Sequence, residues 1–144
     1  MIRQAVAADA ERLSRIAHQA YAPYTEAIGR LPAPALQDFP AAIAAGQVWV
    51  SGAPPVAYAV AFEKDGAWFL ENLAVAPDNQ GHGLSRSMIS HIEDAGRRRG
   101  FDRITLYTNA KMTANLALYP TLGYRQTGRR IEDGFDRVYF EKRL

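Results

Sequence analysis

Between Leu73 and Arg86 the chain changes structural habit within a single short loop. The apolar run Leu73-Ala74-Val75-Ala76 breaks at Pro77, crosses Asp78-Asn79-Gln80 and enters a new segment through Gly81-His82-Gly83. That segment, Gly83 to Arg99, carries Leu84, Met88, Ile89, Ile92 and Ala95 on one helical stripe. It stops at Gly100, and Arg97, Arg98 and Arg99 suit the negative end of a helix. A strand feeding an amphipathic helix calls for a sheet covered by helices. The helix start also exposes unpaired N–H groups and a partial positive charge, and two glycines keep side chains out of the approach. Such a turn suits a phosphate, although a plain flexible loop entering a helix has the same lone Gly-x-Gly. A P-loop would need Gly-Lys-Ser/Thr at its end, which is missing. The dinucleotide fingerprint would need a third glycine where Arg86 stands and an acid at the end of the next strand, whereas Asp102 falls at its start.

The flanking sequence supports a mixed architecture. Met1 to Ala5 reads as a strand, and Asp9 as the N-cap of a helix with Leu13, Ile16, Ala17 and Ala20 on one face. Pro23 should end that helix, and Tyr21 to Phe39 is loop-like before a short helix ending by Gly46. Gln47–Ser51 and Val56–Glu63 read as strands, and Lys64-Asp65-Gly66 as a hairpin turn into Ala67–Ala76. Ile104–Thr108 is a strand, and a short helix from about Ala114 closes at Gly123. A last hairpin turns at Asp133-Gly134 between Tyr124–Ile131 and Phe135–Lys142. The fold class is therefore α/β, or α+β. At 144 residues one domain spanning 1–144 is expected.

Composition narrows the function. There is no cysteine, which removes disulfides, thiolate metal sites and a thiol nucleophile. His18 and His91 have no partner at metal-ligand spacing, so no metal is expected. A formal charge of +2 does not provide the clustered phosphate contacts that duplex DNA requires, and no nucleic-acid partner is expected. No apolar run has a bilayer-spanning length, and Met1-Ile2-Arg3-Gln4 followed by Asp9, Glu11 and Arg12 lacks the marks of a signal peptide. The expectation is a cytoplasmic protein without a membrane partner.

Two motifs carry a resemblance. Gln80-x-x-Gly83-x-Ser85 is similar to the acyl-CoA loop Gln/Arg-x-x-Gly-x-Gly/Ala of the GNAT-type N-acetyltransferase superfamily, with serine at the last small position. Tyr119-Pro120-Thr121-Leu122-Gly123-Tyr124 resembles that family's Tyr-x-x-x-Gly-Phe/Tyr. The order of elements matches over essentially the whole chain. The resemblance implies a mixed, mostly antiparallel sheet of six to seven strands flanked by about four helices. It also implies acetyl-CoA as co-substrate and transfer of its acetyl group to a primary amine of a small molecule, peptide or protein. Leu73, Ala74 and Val75 would offer backbone groups to the pantetheine arm, and Gln80, Gly81, His82, Gly83, Leu84, Ser85 and Arg86 would hold the pyrophosphate. Where the family often has an asparagine, this chain has Met112, so Asn115 or Asn109 would substitute. The stretch Tyr21 to Asp38 would border the acceptor, with Tyr21, Tyr24 and Arg30 contacting it. The protein would act as a monomer or homodimer. The alternative is an acyl-CoA-binding sensor without turnover.

The chemistry needs a base for the amine and a proton for the departing thiolate. With no cysteine, direct attack in a ternary complex is the natural route. Tyr119, at the family's tyrosine position, is the candidate acid, because a phenol keeps its proton at neutral pH. Strand alternation places Phe69, Glu71, Leu73 and Val75 on one face, which sets Glu71 in an apolar row. Burial there would raise its pKa and make it the candidate base. Leu106-Tyr107-Thr108, on the next strand, offers no carboxylate.

Overall fold

A computed structural model describes residues 1–144. Seven strands form one sheet: β1 (Ile2–Gln4), β2 (Val48–Ser51), β3 (Ala57–Lys64), β4 (Ala67–Val75), β5 (Arg103–Asn109), β6 (Arg125–Glu132) and β7 (Phe135–Arg143). Their spatial order is β1-β2-β3-β4-β5-β7-β6, and every neighbouring pair is antiparallel except β4–β5. The helices are α1 (Ala10–Tyr21), α2 (Thr25–Ile28), α3 (Phe39–Ala44), α4 (Leu84–Arg98) and α5 (Thr113–Thr121). The strand and helix boundaries fall within a residue or two of the sequence expectation. The exception is α2, a single turn inside the stretch read as loop.

The sheet separates two apolar layers. On one face α4 lays Met88, Ile89, Ile92 and Ala95 against Trp68, Leu70 and Ile104, and all seven are buried. On the other, Leu13, Ile16 and Ala17 of α1 meet Phe39, Val48, Val50 and Tyr58. Each fully buried Leu or Ile stabilises the fold by about 1.5–3 kcal/mol relative to exposure, so these layers fix the helices onto the sheet.

One local expectation differs. Asp9 occupies the residue before α1, but its carboxylate does not cap that helix. It accepts from the Arg3 guanidinium at 2.9 Å and from the Val6 N–H at 2.9 Å, and this double partnership wins over the cap. Pro120, which lacks a donor N–H and so can kink or shorten a helix, falls in the last turn of α5 and shortens it: the helix ends one residue later.

Strands β4 and β5 are in register only at Trp68–Ile104, Phe69–Thr105 and Leu70–Leu106. Beyond Leu70 they splay apart. At the same point β4 carries a bulge: Ala61 faces Leu70 and Val60 faces Asn72, leaving Glu71 with no residue opposite. The extra residue reverses the side-chain alternation. Phe69 therefore lies with Phe62 on the α1 side, while Leu73 and Val75 belong to the α4 layer. The expected single row of Phe69, Glu71, Leu73 and Val75 is thus broken at Glu71.

Candidate active site at the splayed strands

Splaying leaves one edge of β4 without a strand partner. The Ala76 N–H bonds Val56 on the β3 side, so by antiparallel alternation the N–H and C=O groups of Leu73 and Val75 face the opening. Two side chains meet those carbonyls: the Tyr21 hydroxyl lies 2.9 Å from Leu73 O, and Gln80 Nε2 donates to Val75 O at 3.1 Å. The intervening Ala74 turns its own backbone groups to Tyr58 on β3 and contributes wall.

A groove runs from this edge to the start of α4, lined by Leu73, Ala74, Val75, Gln80, Gly81, Gly83, Leu84, Ser85 and Arg86. Gly83 precedes the helix at φ +79° and no side chain caps it. Gly81 has φ +82°, and a Cβ at either glycine would meet no atom within 4 Å. The glycines thus serve backbone conformation and leave clear space before uncapped N–H donors. Unpaired strand edge, clear space and helix start fit the amides and pyrophosphate of a CoA chain. Tyr24, Asn115 and Tyr119 line the far wall.

A second cleft opens on the other side of the splay, among Pro32, Pro34, Glu71, Tyr107, Asn109 and Arg137. Tyr21, Leu73, Asn115 and Tyr119 line both cavities, so the two meet there. Tyr119 is 5% exposed, and its hydroxyl has no hydrogen-bond partner in the protein yet is not sealed from the cavity. Burial pushes its pKa up, so the phenol holds its proton more firmly than in water. Glu71 is half-buried at the bulge, and burial also raises its pKa, with Gln37 and Lys64 opposing.

A polar knot holds the bulge. Asn72 is buried; its Oδ1 lies 2.8 Å from the Tyr58 hydroxyl and 3.0 Å from that of Tyr21. Its Nδ2 donates to Pro34 O at 3.0 Å and Gln37 Oε1 at 3.3 Å. One amide thereby ties α1, β3 and the 32–37 loop to the strand beside Glu71.

Several sequence expectations change place. His82 is exposed and does not line the groove. Asn109 lines the second cleft instead of the groove, because β5 has diverged before reaching it. Asn115 lines both cavities and donates to Thr108 Oγ1 at 3.1 Å, while Met112 is buried in the α1 layer. Tyr24 faces the groove rather than the second cleft, because the α1 helix continues into a tight turn there. Arg30 lines neither cavity. Its guanidinium stacks 3.8 Å over Phe135 and donates to the Asp133 carbonyl, clasping the β6–β7 turn. Sequence reading passed over Asn72, Tyr107, Phe135 and Arg137. A signal existed in β7, where Phe135, Arg137 and Tyr139 alternate on one face with an arginine between two aromatics.

Comparison with known proteins agrees with this geometry. A stretch of 57 residues is 39% identical to the [Ribosomal protein bS18]-alanine N-acetyltransferase of Escherichia coli (strain K12), covering 40% of this chain and 38% of that protein. The matched stretch therefore spans well under half of that relative's length. The fold is similar to that of the PaiA N-acetyltransferase from Thermoplasma acidophilum in complex with coenzyme A, with TM-score 0.80 and 14% identity. That match covers 100% of this chain and 98% of the other. The Escherichia coli ribosomal-protein-S18-alanine N-acetyltransferase structure gives TM-score 0.73 at 22% identity, over 100% and 93% of the two chains. A sequence model of the Acetyltransferase (GNAT) family matches residues 12–124, most of the chain and every element of both cavities except the β7 wall and its turn. The chain belongs to the Acetyltransferase (GNAT) family.

Proposed function

We propose that residues 1–144 form one acetyl-CoA-dependent N-acetyltransferase domain. The observation that carries this is the meeting of the two cavities at the unpartnered Tyr119 hydroxyl. The groove would hold the CoA chain. The Leu73 and Val75 backbone would pair with its amides, and the Gly81–Arg86 turn, chiefly through N–H groups, would bind the pyrophosphate. When bound, acetyl-CoA supplies the acetyl thioester, whose sulfur leaves as thiolate as the amine nitrogen takes the acetyl carbon.

The protein's own groups manage the protons. An alkylammonium has a pKa near about 10.4, so freeing the amine at pH 7 costs about 4–5 kcal/mol. Glu71, raised by burial, accepts that proton directly or through one water. Tyr119 holds a proton where the cavities join and donates it to the leaving sulfur. With Glu71 on one cavity's wall and Tyr119 shared by both, acid and base act on opposite sides of the transfer. The Pro32–Pro34 wall and Phe135 limit water at the acceptor side.

A thiol-release assay with acetyl-CoA and a panel of primary amines tests this reading. Turnover on at least one amine, reduced in Tyr119→Phe, is the expected result. CoA binding without turnover on any amine would instead indicate a sensor.

A further inference from the structure

The acceptor cleft contains a cation that acetyl transfer does not require. Arg137 has a side chain only 13% exposed, and its guanidinium lies 4.4 Å over the Tyr107 ring and 5.6 Å from that of Phe135. It makes no hydrogen bond in the protein. Its one ion-pair partner, Glu132, is at 3.6 Å and already accepts from the Tyr139 hydroxyl. Directly across the strand pair stands Arg130, in register with Arg137, its own guanidinium 4.3 Å over Tyr139. Like charges opposite one another in a sheet repel. On the other flank Arg137 is in register with Asn109, whose Oδ1 accepts from the Lys111 N–H and leaves its NH₂ donors to the cleft. The cleft therefore offers a planar fork without a hydrogen-bond partner in the protein and an amide beside it. Glu71 stands on the opposite wall of the cleft, on β4, two strands from Arg137 in the sheet order.

Resting on the acetyl-transfer reading, we infer that the acceptor is a small primary amine bearing a carboxylate, with Arg137 and Asn109 receiving the carboxylate while Glu71 faces the amine. A guanidinium fork matches a carboxylate bidentately. Glu132 already offsets part of the Arg137 charge, so a singly charged anion fits better than a dianion. A polyamine would set a second cation against Arg137, and a peptide amine would leave the fork empty. Arg137 is a specificity-determining residue here, separate from the proton transfers.

The test uses matched acceptors: glycine, β-alanine and 4-aminobutyrate against methylamine, ethylamine and propylamine, which lack only the carboxylate. The wild-type protein should favour the carboxylated member of at least one pair by about tenfold or more in kcat/KM. Arg137→Gln should raise KM for that member by about 10- to 100-fold and leave its matched amine unchanged, collapsing the preference. Arg137→Lys, which keeps charge and loses the fork, should fall between, and it carries the test if the glutamine variant does not fold. Equal use of the paired acceptors by the wild type, or equal losses on both in Arg137→Gln, would overturn the inference. Calorimetry of the same six compounds in the presence of CoA separates the two readings. Arg137-dependent binding of a carboxylated amine without thiol release would sink acetyl transfer and leave this site standing. Absence of any carboxylate preference in both binding and turnover would sink the site alone.

Discussion

The Tyr58 hydroxyl donates to Asn72 Oδ1 at 2.8 Å, immediately beside the bulge that sets Glu71 in the wall of the second cleft. The bond matters because a bulge has no ladder partner of its own to hold it. Asn72 takes that role, with Tyr21 as a second neighbour of Oδ1 and the 32–37 loop on its amide nitrogen. Asn72→Ala would leave the buried Tyr58 hydroxyl without a partner and take one partner each from the Tyr21 hydroxyl and the Pro34 carbonyl, at a cost of about 1–3 kcal/mol. Chemical denaturation should show that loss. In protein that remains folded, the acceptor KM should rise more than CoA affinity falls. An unchanged denaturation midpoint would mean that water replaces the amide and the knot is dispensable.

In the proposed mechanism proton handling divides between Tyr119 and Glu71, and the two variants should be distinguishable. Tyr119→Phe removes the one junction hydroxyl that has no partner in the protein and should lower kcat by up to about 10²–10⁴ while calorimetric CoA affinity stays near wild type. The cavity loses no volume, so packing is preserved. A variant with full turnover would show that water protonates the thiolate.

The pH profile isolates the base. Burial raises the Glu71 pKa in the folded protein, so its active, ionised form is reached at higher pH than for an ordinary carboxylate. The acidic limb of kcat/KM should accordingly lie above the usual carboxylate range, with activity lost as pH falls through it. Glu71→Gln should remove that limb. The same raised value has a stability consequence of opposite sense: the folded state favours the proton, so Glu71 makes the fold relatively more stable as pH drops below its folded pKa. A wild-type pH profile in Glu71→Gln would leave the base role to solvent.

The helix entry gives a fourth test. Gly83 has φ +79°, where a side chain is strained by about 1–2 kcal/mol, yet the space around it is open. Gly83→Ala should therefore cost modest stability and little CoA affinity. Gly83→Asp adds a negative charge in front of the α4 N–H donors, and calorimetry should show CoA binding weakened at least tenfold beyond the alanine variant. Equal affinities in the two variants would move the pyrophosphate elsewhere.

These residues also show what a linear reading can and cannot reach. The groove was legible because its parts are contiguous: an apolar strand, two glycines and an amphipathic helix lie within one stretch of sequence. Glu71 was found by a period-two argument whose row the bulge breaks; nothing in Leu70-Glu71-Asn72 marks where an extra residue will sit, since the partner register is set by β3. Arg30 and Tyr24 went astray for a related reason. Their stretch has no periodicity, and their positions are decided by contacts with the distant β6–β7 turn and the groove. Arg137 was missed because its importance comes from neighbours on two other strands.

Packing beneath the site sets a last test. Gly96 lies inside α4, where glycine is about 1 kcal/mol worse than alanine in an exposed helix, so propensity alone favours Gly96→Ala. The fold opposes it. A Cβ on Gly96 would stand 2.5 Å from Trp68 Cδ1 and 2.9 Å from Cγ, with Leu144 Cδ1 at 3.1 Å. The indole cannot easily retreat: its Nε1 donates to Ile92 O at 2.8 Å, and its ring stacks on Phe101 at 5.4 Å. Overpacking of this kind typically costs about 1–3 kcal/mol, enough to cancel or exceed the helical gain. Gly96→Ala should thus lower Tm rather than raise it. Trp68 lies two residues before Leu70, the last β4 residue in register with β5, so a displaced indole should also disturb the splay and weaken CoA binding. A variant with raised Tm and unchanged CoA affinity would show that α4 can slide on the sheet without the site noticing.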